Sequence, residues 1–162
     1  MINKLKTVKS SQVKMIELVL PNDTNVLGNL LGGRLMHWID IAAALSAARH
    51  CNSVAVTAAV DNLVFHHPIK LGDIVRLKAS VNRAFNTSME VGVKVEIEEI
   101  KTGDITHSNS AYLTFVNINT ETNKPAKVNE IIPESPEEKK RYEQALERRN
   151  QRLSEKHGII KN

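Results

Sequence analysis

Residues 22–52 read NDTNVLGNLLGGRLMHWIDIAAALSAARHCN, and the fold is decided there. The stretch opens as a polar loop, passes Gly28, Gly32 and Gly33, and continues as a long helix. That helix is expected to end near Arg49, His50 and Asn52, cationic and polar residues that suit a helix C-terminus. Leu35, Met36, Trp38, Ile39, Ile41, Ala42, Ala43 and Leu45 make it apolar on nearly every side. A helix of that kind is wrapped by protein and not laid on a surface. Asp40 stands in its middle, and a carboxylate there must be paired, hydrogen-bonded or functional, because burying it alone is costly.

On either side of this helix the pattern is that of strands. Val13–Leu20 is a short strand closed by Pro21 and the Asn22-Asp23 turn. VAVTAAVDNLVF at 54–65 is too continuously apolar to be one-sided and reads as a buried strand ending before Pro68. Val75, Leu77, Ala79 and Val81 alternate with polar residues. Met89, Val91, Val93, Val95 and Ile97 face one way while Glu90, Gly92, Lys94, Glu96 and Glu98 face the other. Residues 110–118 (SAYLTFVNI) supply a last strand, and the short turns between these segments argue for antiparallel pairing. From Pro136 the chain becomes a polar helix, acidic at its start and basic later, with Tyr142, Leu146 and Leu153 as sparse anchors. Its Arg148, Arg149 and Arg152 read as a solvated face.

The chain has 162 residues, 41% hydrophobic, enough for one core and too few for two ordinary domains. Three parts follow: a flexible arm at 1–12, one domain at 13–135, and a charged helix and tail at 136–162. Aromatic residues make up 4%, which disfavours a nucleic-acid binder built on stacking. The net charge of +4 is scattered along the chain, a sign that also suits a polyanionic small molecule. The single cysteine, Cys51, rules out an internal disulfide and fits a reducing, cytoplasmic setting. Adjacent helical residues do not face each other, so His50 and Cys51 are not a catalytic pair. No segment approaches the ~20 apolar residues of a membrane helix.

Loops cannot cover one helix on all sides. An antiparallel sheet curled around it, with another subunit on the remaining face, is the economical solution. This α+β layout, a sheet wrapped around a long central helix plus a C-terminal helix, is the hotdog fold.

Several short segments then carry a resemblance: Asp23-Thr24-Asn25, Gly28 to Gly33, Ile39-Asp40, Arg49-His50-Cys51, Val56-Thr57, Phe65 with Pro68-Ile69 and Gly72-Asp73, Thr87 to Val91, Thr114-Phe115-Val116, and the PEEKKRY start of the last helix. Together they resemble the hotdog acyl-CoA thioesterases, closest to the cytosolic acyl-CoA hydrolase group, over about residues 13–157. The resemblance implies hydrolysis of fatty acyl-CoA to a free acid and CoA, with CoA part of the substrate and no separate cofactor. It implies a site at a dimer interface, pairing Asn25 of one subunit with Asp40 of the other. It also implies a homodimer, in the family often a trimer of dimers. Where relatives often have glycine before the Thr-Ser pair, this chain has Arg83-Ala84-Phe85-Asn86, a departure that bears on the CoA-binding loop.

Chemically, Asp40 suits a general base because partial burial raises a carboxylate's pKa; direct nucleophilic attack is the alternative. Asn25 can orient water or carbonyl. Gly32 and Gly33 at the helix start expose backbone amides for an oxyanion, helped by the helix dipole. Arg83 and Ser88 are candidates for CoA contact. The bland readings stand beside these: Asp40 as a structural hydrogen-bond partner, Asn25 as a turn residue, Gly32-Gly33 as close packing, Arg83 and Ser88 as surface. His37 and Asp40, three apart, lack a third metal ligand of diagnostic spacing, so no metal is expected. His66 and His67 point to opposite faces of a strand. Two other functions compete: a non-catalytic hotdog acyl-CoA-binding regulator, and a hotdog dehydratase using His37 with Asp40.

Overall fold

The computed structural model describes residues 5–61 and 63–159; the first four residues of the expected arm and the last three of the tail lie outside these. Helix α1, Gly32–Cys51, is closed by Asn52 in the left-handed conformation (φ 51°), a position asparagine tolerates. Among the described residues the strands are β1 (Lys6–Thr7), β2 (Val13–Leu18), β3 (Val54–Val60), β4 (Ile74–Ala84), β5 (Ser88–Glu98), β6 (Ile105–Asn119), β7 (Lys124–Pro125) and β8 (Ile131–Ile132). The main sheet runs β2-β4-β5-β6-β3, antiparallel throughout, with β7 added to β6. Helix α2, Pro136–Ile159, ends the described chain. The fold is the hotdog layout. Among the described residues no helix is long and apolar enough to cross a membrane.

Alternation along β4, β5 and β6 sends Val75, Leu77, Val81, Met89, Val91, Val95, Leu113 and Phe115 to the concave face. There they form one core with Leu35, Trp38, Ile39, Ala42, Ala43 and Ala47 of α1. Each fully buried large side chain contributes about 1.5–3 kcal/mol, so the sheet–helix interface dominates stability.

The convex face differs from its expectation. Glu90, placed on the polar face of β5 by its alternation, is fully buried, and so is Ala145 of α2. The Arg148 guanidinium donates to both Glu90 oxygens (Nε to Oε2 3.0 Å, Nη2 to Oε1 2.7 Å) and lies 3.7 Å from the centre of the Tyr112 ring. Arg152 donates to both oxygens of Asp61 at 2.9 and 3.1 Å, and Arg149 stacks on Phe85. The basic run expected to be solvated is instead the underside of a helix clamped to the sheet. A capping box starts that helix: the Ser135 hydroxyl accepts from the Glu138 amide, and the Glu138 carboxylate accepts from the amide of Ser135.

Two further expectations change. Strand β3 is not buried. It ends at Val60, is paired on one side only by β6, and leaves Val54, Val56 and Val60 exposed. Residues 6–12, expected as a loose arm, are packed: β1 pairs with β8, Val8 joins the core, and the Ser11 hydroxyl accepts from the Val81 amide at 2.9 Å.

Candidate active site

Asp40 lies midway along α1, half-buried, where the helix passes the edge strand β3. A β-bulge interrupts the β3–β6 register between Thr57 and Ala59. Beside it the Thr57 hydroxyl donates to Asp40 Oδ1 at 2.7 Å. That distance is the usual one for a well-formed O–H···O bond. One carboxylate oxygen is thereby fixed in direction. Thr57 was legible only as part of a Val-Thr pair; nothing in the local pattern gives it a role, because the contact joins residues on two elements.

Asn25 sits in the exposed loop before the helix. Its Oδ1 accepts from the amides of Leu27 (2.9 Å) and Asn29 (3.2 Å), and Gly28 holds φ 75° to close the turn. The turn reading of Asn25 is therefore correct as geometry. With Oδ1 committed, the side-chain Nδ2 is the group it has to offer. The loop is anchored by backbone bonds from Leu31 to the Asp23 carbonyl (2.9 Å) and from Leu30 to Ile69 (2.7 Å), and by the Arg34–Asp23 ion pair at 3.0 Å. Within one chain the hydrogen bonds of Asn25 and of Asp40 are separate.

Gly32 and Gly33 are the first two residues of α1, and the N-cap, Leu31, supplies no side-chain oxygen. Their amides have no partner within the helix. The Phe65 ring covers Gly32: a Cβ there would lie 3.4 Å from Phe65 Cε2, while nothing stands within 4 Å of one on Gly33. Phe65 belongs to the irregular segment after β3, which Asn109 Nδ2 holds by the Val64 carbonyl.

The remaining candidates lie elsewhere. Arg83 donates to the Tyr142 carbonyl (3.1 Å) and its guanidinium is 4.0 Å from the Tyr142 ring, so it serves the α2 contact on the convex side. Ser88 opens β5, its carbonyl accepting from the Phe85 amide at 2.7 Å. His37, His66 and His67 are exposed, and among the described residues no group of three or more His, Cys, Asp or Glu is arranged to hold a metal. Burial pushes the Cys51 thiol up and pulls His50 down. His50, expected as a cation at the helix end, is fully buried, with Nε2 2.8 Å from the Asn129 carbonyl.

Around Asp40 an apolar surface is open: Ile41 and Leu45 on α1, Val54, Val56 and Val60 on β3, and Phe65. A free, apolar sheet edge invites pairing with another chain.

Comparison with known proteins points the same way. The thioesterase superfamily model matches residues 27–103. The chain is 44% identical to mouse acyl-coenzyme A thioesterase 11 over 143 residues, spanning about a quarter (24%) of that protein's length. It is 40% identical to the uncharacterized acyl-CoA thioester hydrolase YkhA of Bacillus subtilis, covering 91% of this chain and 86% of that one. The structure matches an acyl-CoA hydrolase from Staphylococcus aureus solved with butyryl coenzyme A and coenzyme A (TM-score 0.87, 36% identity, 97% of each chain). It also matches an apo-hexameric acyl-CoA thioesterase (TM-score 0.89, 38% identity, 94% of this chain and 97% of that one). The Staphylococcus aureus hydrolase has been solved as alanine variants of an asparagine, an aspartate and a threonine. Their spacing is that of Asn25, Asp40 and Thr57 here.

Proposed function

The chain belongs to the hotdog acyl-CoA thioesterases, and from that premise we propose that it hydrolyses acyl-CoA to a carboxylic acid and CoA, using Asp40 held by Thr57 together with Asn25 of a partner subunit. The Thr57–Asp40 bond carries this reading, because it fixes a half-buried carboxylate at the edge of an uncovered apolar face.

Asp40 takes a proton from water as the hydroxide oxygen attacks the thioester carbonyl carbon. The carbonyl π pair moves to oxygen, and the amides of Gly32 and Gly33 at the N-terminus of α1 receive that charge. Collapse of the tetrahedral intermediate breaks the C–S bond, and the proton on Asp40 passes to the departing sulfur. The hydrogen bond from Thr57 holds the carboxyl group oriented at the start of the cycle. Asn25 Nδ2, with no hydrogen-bond partner among the described residues while Oδ1 is committed to its turn, orients the water or the carbonyl across the interface. Direct attack by Asp40, expelling the CoA thiolate and forming an acyl–aspartyl anhydride, is the variant reading, and 18O from labelled water would enter the aspartate if water opens that anhydride at the aspartyl carbon.

A homodimer closes the exposed face of α1 and β3, and the hexameric neighbour supports a trimer of dimers. No cofactor is needed for this chemistry, and a reducing cytoplasm suits the single thiol. Thiol release from short to long acyl-CoAs by wild type, Asp40→Ala, Asn25→Ala and Thr57→Ala tests the reading, each variant first matched to the wild-type oligomer. Removing the base is expected to lower kcat about 10²–10⁴-fold. Mixing the Asp40→Ala and Asn25→Ala proteins is expected to restore activity through heterodimers with one intact site. Full activity in Asp40→Ala would refute the mechanism; binding without thiol release would favour the regulator.

A further inference from the structure

On the convex face three lysines stand in one row across three neighbouring strands. Lys14 of β2 is directly opposite Lys78 of β4, and Lys78 is directly opposite Lys94 of β5. Ser110 of β6 continues the row beyond Lys94. Directly opposite side chains share a face with Cβ atoms about 4.5–5.5 Å apart, where like charges destabilise the sheet. Glu96 offsets part of this, bridging Lys78 and Lys94 at 2.8 Å each. Those two ammonium groups hold the Glu96 carboxyl down at about 2. Arg141 of α2 adds a fourth cation across the groove. Among the described residues neither Lys14 nor Arg141 forms an ion pair, so the one carboxylate bridges two of the four cations.

These groups wall a groove of about 400 Å³, within the size of small-ligand sites. Its depth comes from small residues in its floor, Ser80 and Gly92, next to the buried Asn82. A lysine on an edge strand such as β2 is a common guard against edge pairing. Lys78 and Lys94 lie on interior strands, where no edge needs guarding. The row is an electrostatic cost to the sheet that a bound polyanion removes.

We propose that this groove binds a compact anion carrying at least two phosphoryl groups, with the lysine row and Arg141 as its charge-matching walls and the Ser80 and Ser110 hydroxyls as short donors. The diphosphate can come from a free nucleotide or from CoA itself. Since Asp40 lies against the concave side of the same sheet, the groove is separate from the hydrolytic site and does not depend on that reading.

Calorimetric titration of the full chain with inorganic pyrophosphate, ATP and CoA, at 50 and 200 mM salt, tests this. Pyrophosphate is expected to bind with submillimolar Kd, more weakly at the higher salt. The Lys78→Ala/Lys94→Ala variant is expected to lose about tenfold or more in affinity. Lys14→Ala breaks no ion pair, so its unfolding midpoint should equal or exceed wild type while its affinity falls. Glu96→Gln should bind more tightly, and Asp40→Ala should bind as wild type does. Loss of ATP affinity in the double variant marks a free nucleotide as a ligand, and loss of CoA affinity marks CoA. Pyrophosphate binding weaker than about 1 mM, or equal in wild type and both lysine variants, overturns the proposal.

Discussion

Replacing Arg148 with alanine removes the sole cation in contact with Glu90 among the described residues, a carboxylate that is fully buried. Two charge-assisted bonds at 2.7 and 3.0 Å disappear, together with the stacking on Tyr112. The carboxylate would keep the amide of Asn82, 3.0 Å from Oε1, as its remaining side-chain donor. Breaking a buried pair from one side costs about 3–5 kcal/mol, and the lost cation–π contact adds ~0.5–1 kcal/mol. Against a total stability of about 5–15 kcal/mol for a domain, that is about a quarter or more. Urea unfolding at fixed protomer concentration, followed by tryptophan fluorescence from Trp38, reads the change in midpoint. The paired variant Arg148→Met/Glu90→Leu removes both charges and should regain most of the loss, because apolar replacement of a whole buried pair is often neutral or better. A single-variant loss under about 1 kcal/mol would be that of a surface ion pair and would refute the clamped-helix account.

Other perturbations separate the remaining parts. Gly92→Ala should cost about 1–3 kcal/mol as overpacking, since its Cβ would stand 2.7 Å from Asn82 Nδ2, a group tied to Glu90; an unchanged melt contradicts the packing. Asp61→Arg or Arg152→Asp alone should lower stability or kcat/KM by loosening the segment that carries Phe65 over Gly32, and the exchanged pair should recover part of it. Val56→Glu or Leu45→Glu should convert the oligomer to monomer in light scattering and abolish thiol release. Burial holds the folded His50 below its ordinary value of 6.5. Its neutral form therefore stabilises the fold at neutral pH, and that contribution is progressively lost as pH falls below 6.5. Urea midpoints between pH 7.5 and 5 should fall more steeply in wild type than in His50→Gln.

The helix and the strands β4, β5 and β6 were legible because each has a strong local period, 3.6 or 2, set by one shared core. β3 was misread for a reason visible in its partners. An apolar run looks the same whether its cover is the same chain or a second one, and residues 54–60 are covered by neither β5 nor α2. The convex face was misread for the converse reason: polar alternation in β5 predicts solvent, and only tertiary placement of α2 turns Glu90 inward. In the candidate site, Asp40 announced itself as a charge in an apolar helix, while Thr57 depends on a bulge that no periodicity contains. Arg83 illustrates the limit of motif proximity, since its neighbour in space is Tyr142, far along the chain.

The strand order also sets a timetable for synthesis. β3 leaves the ribosome directly after α1, yet its partner β6 ends at Asn119. At about 5–20 residues per second that interval is roughly 3–12 s. Throughout it a twenty-residue helix with apolar flanks and an unpaired β-branched strand wait without a sheet to close on. β2 waits similarly for β4. Pairings this distant form slowly and leave aggregation-prone surface in the interim. The nascent chain thus carries exposed apolar surface until the β5–β6 hairpin emerges, and slow codons placed just after β3 would lengthen that period.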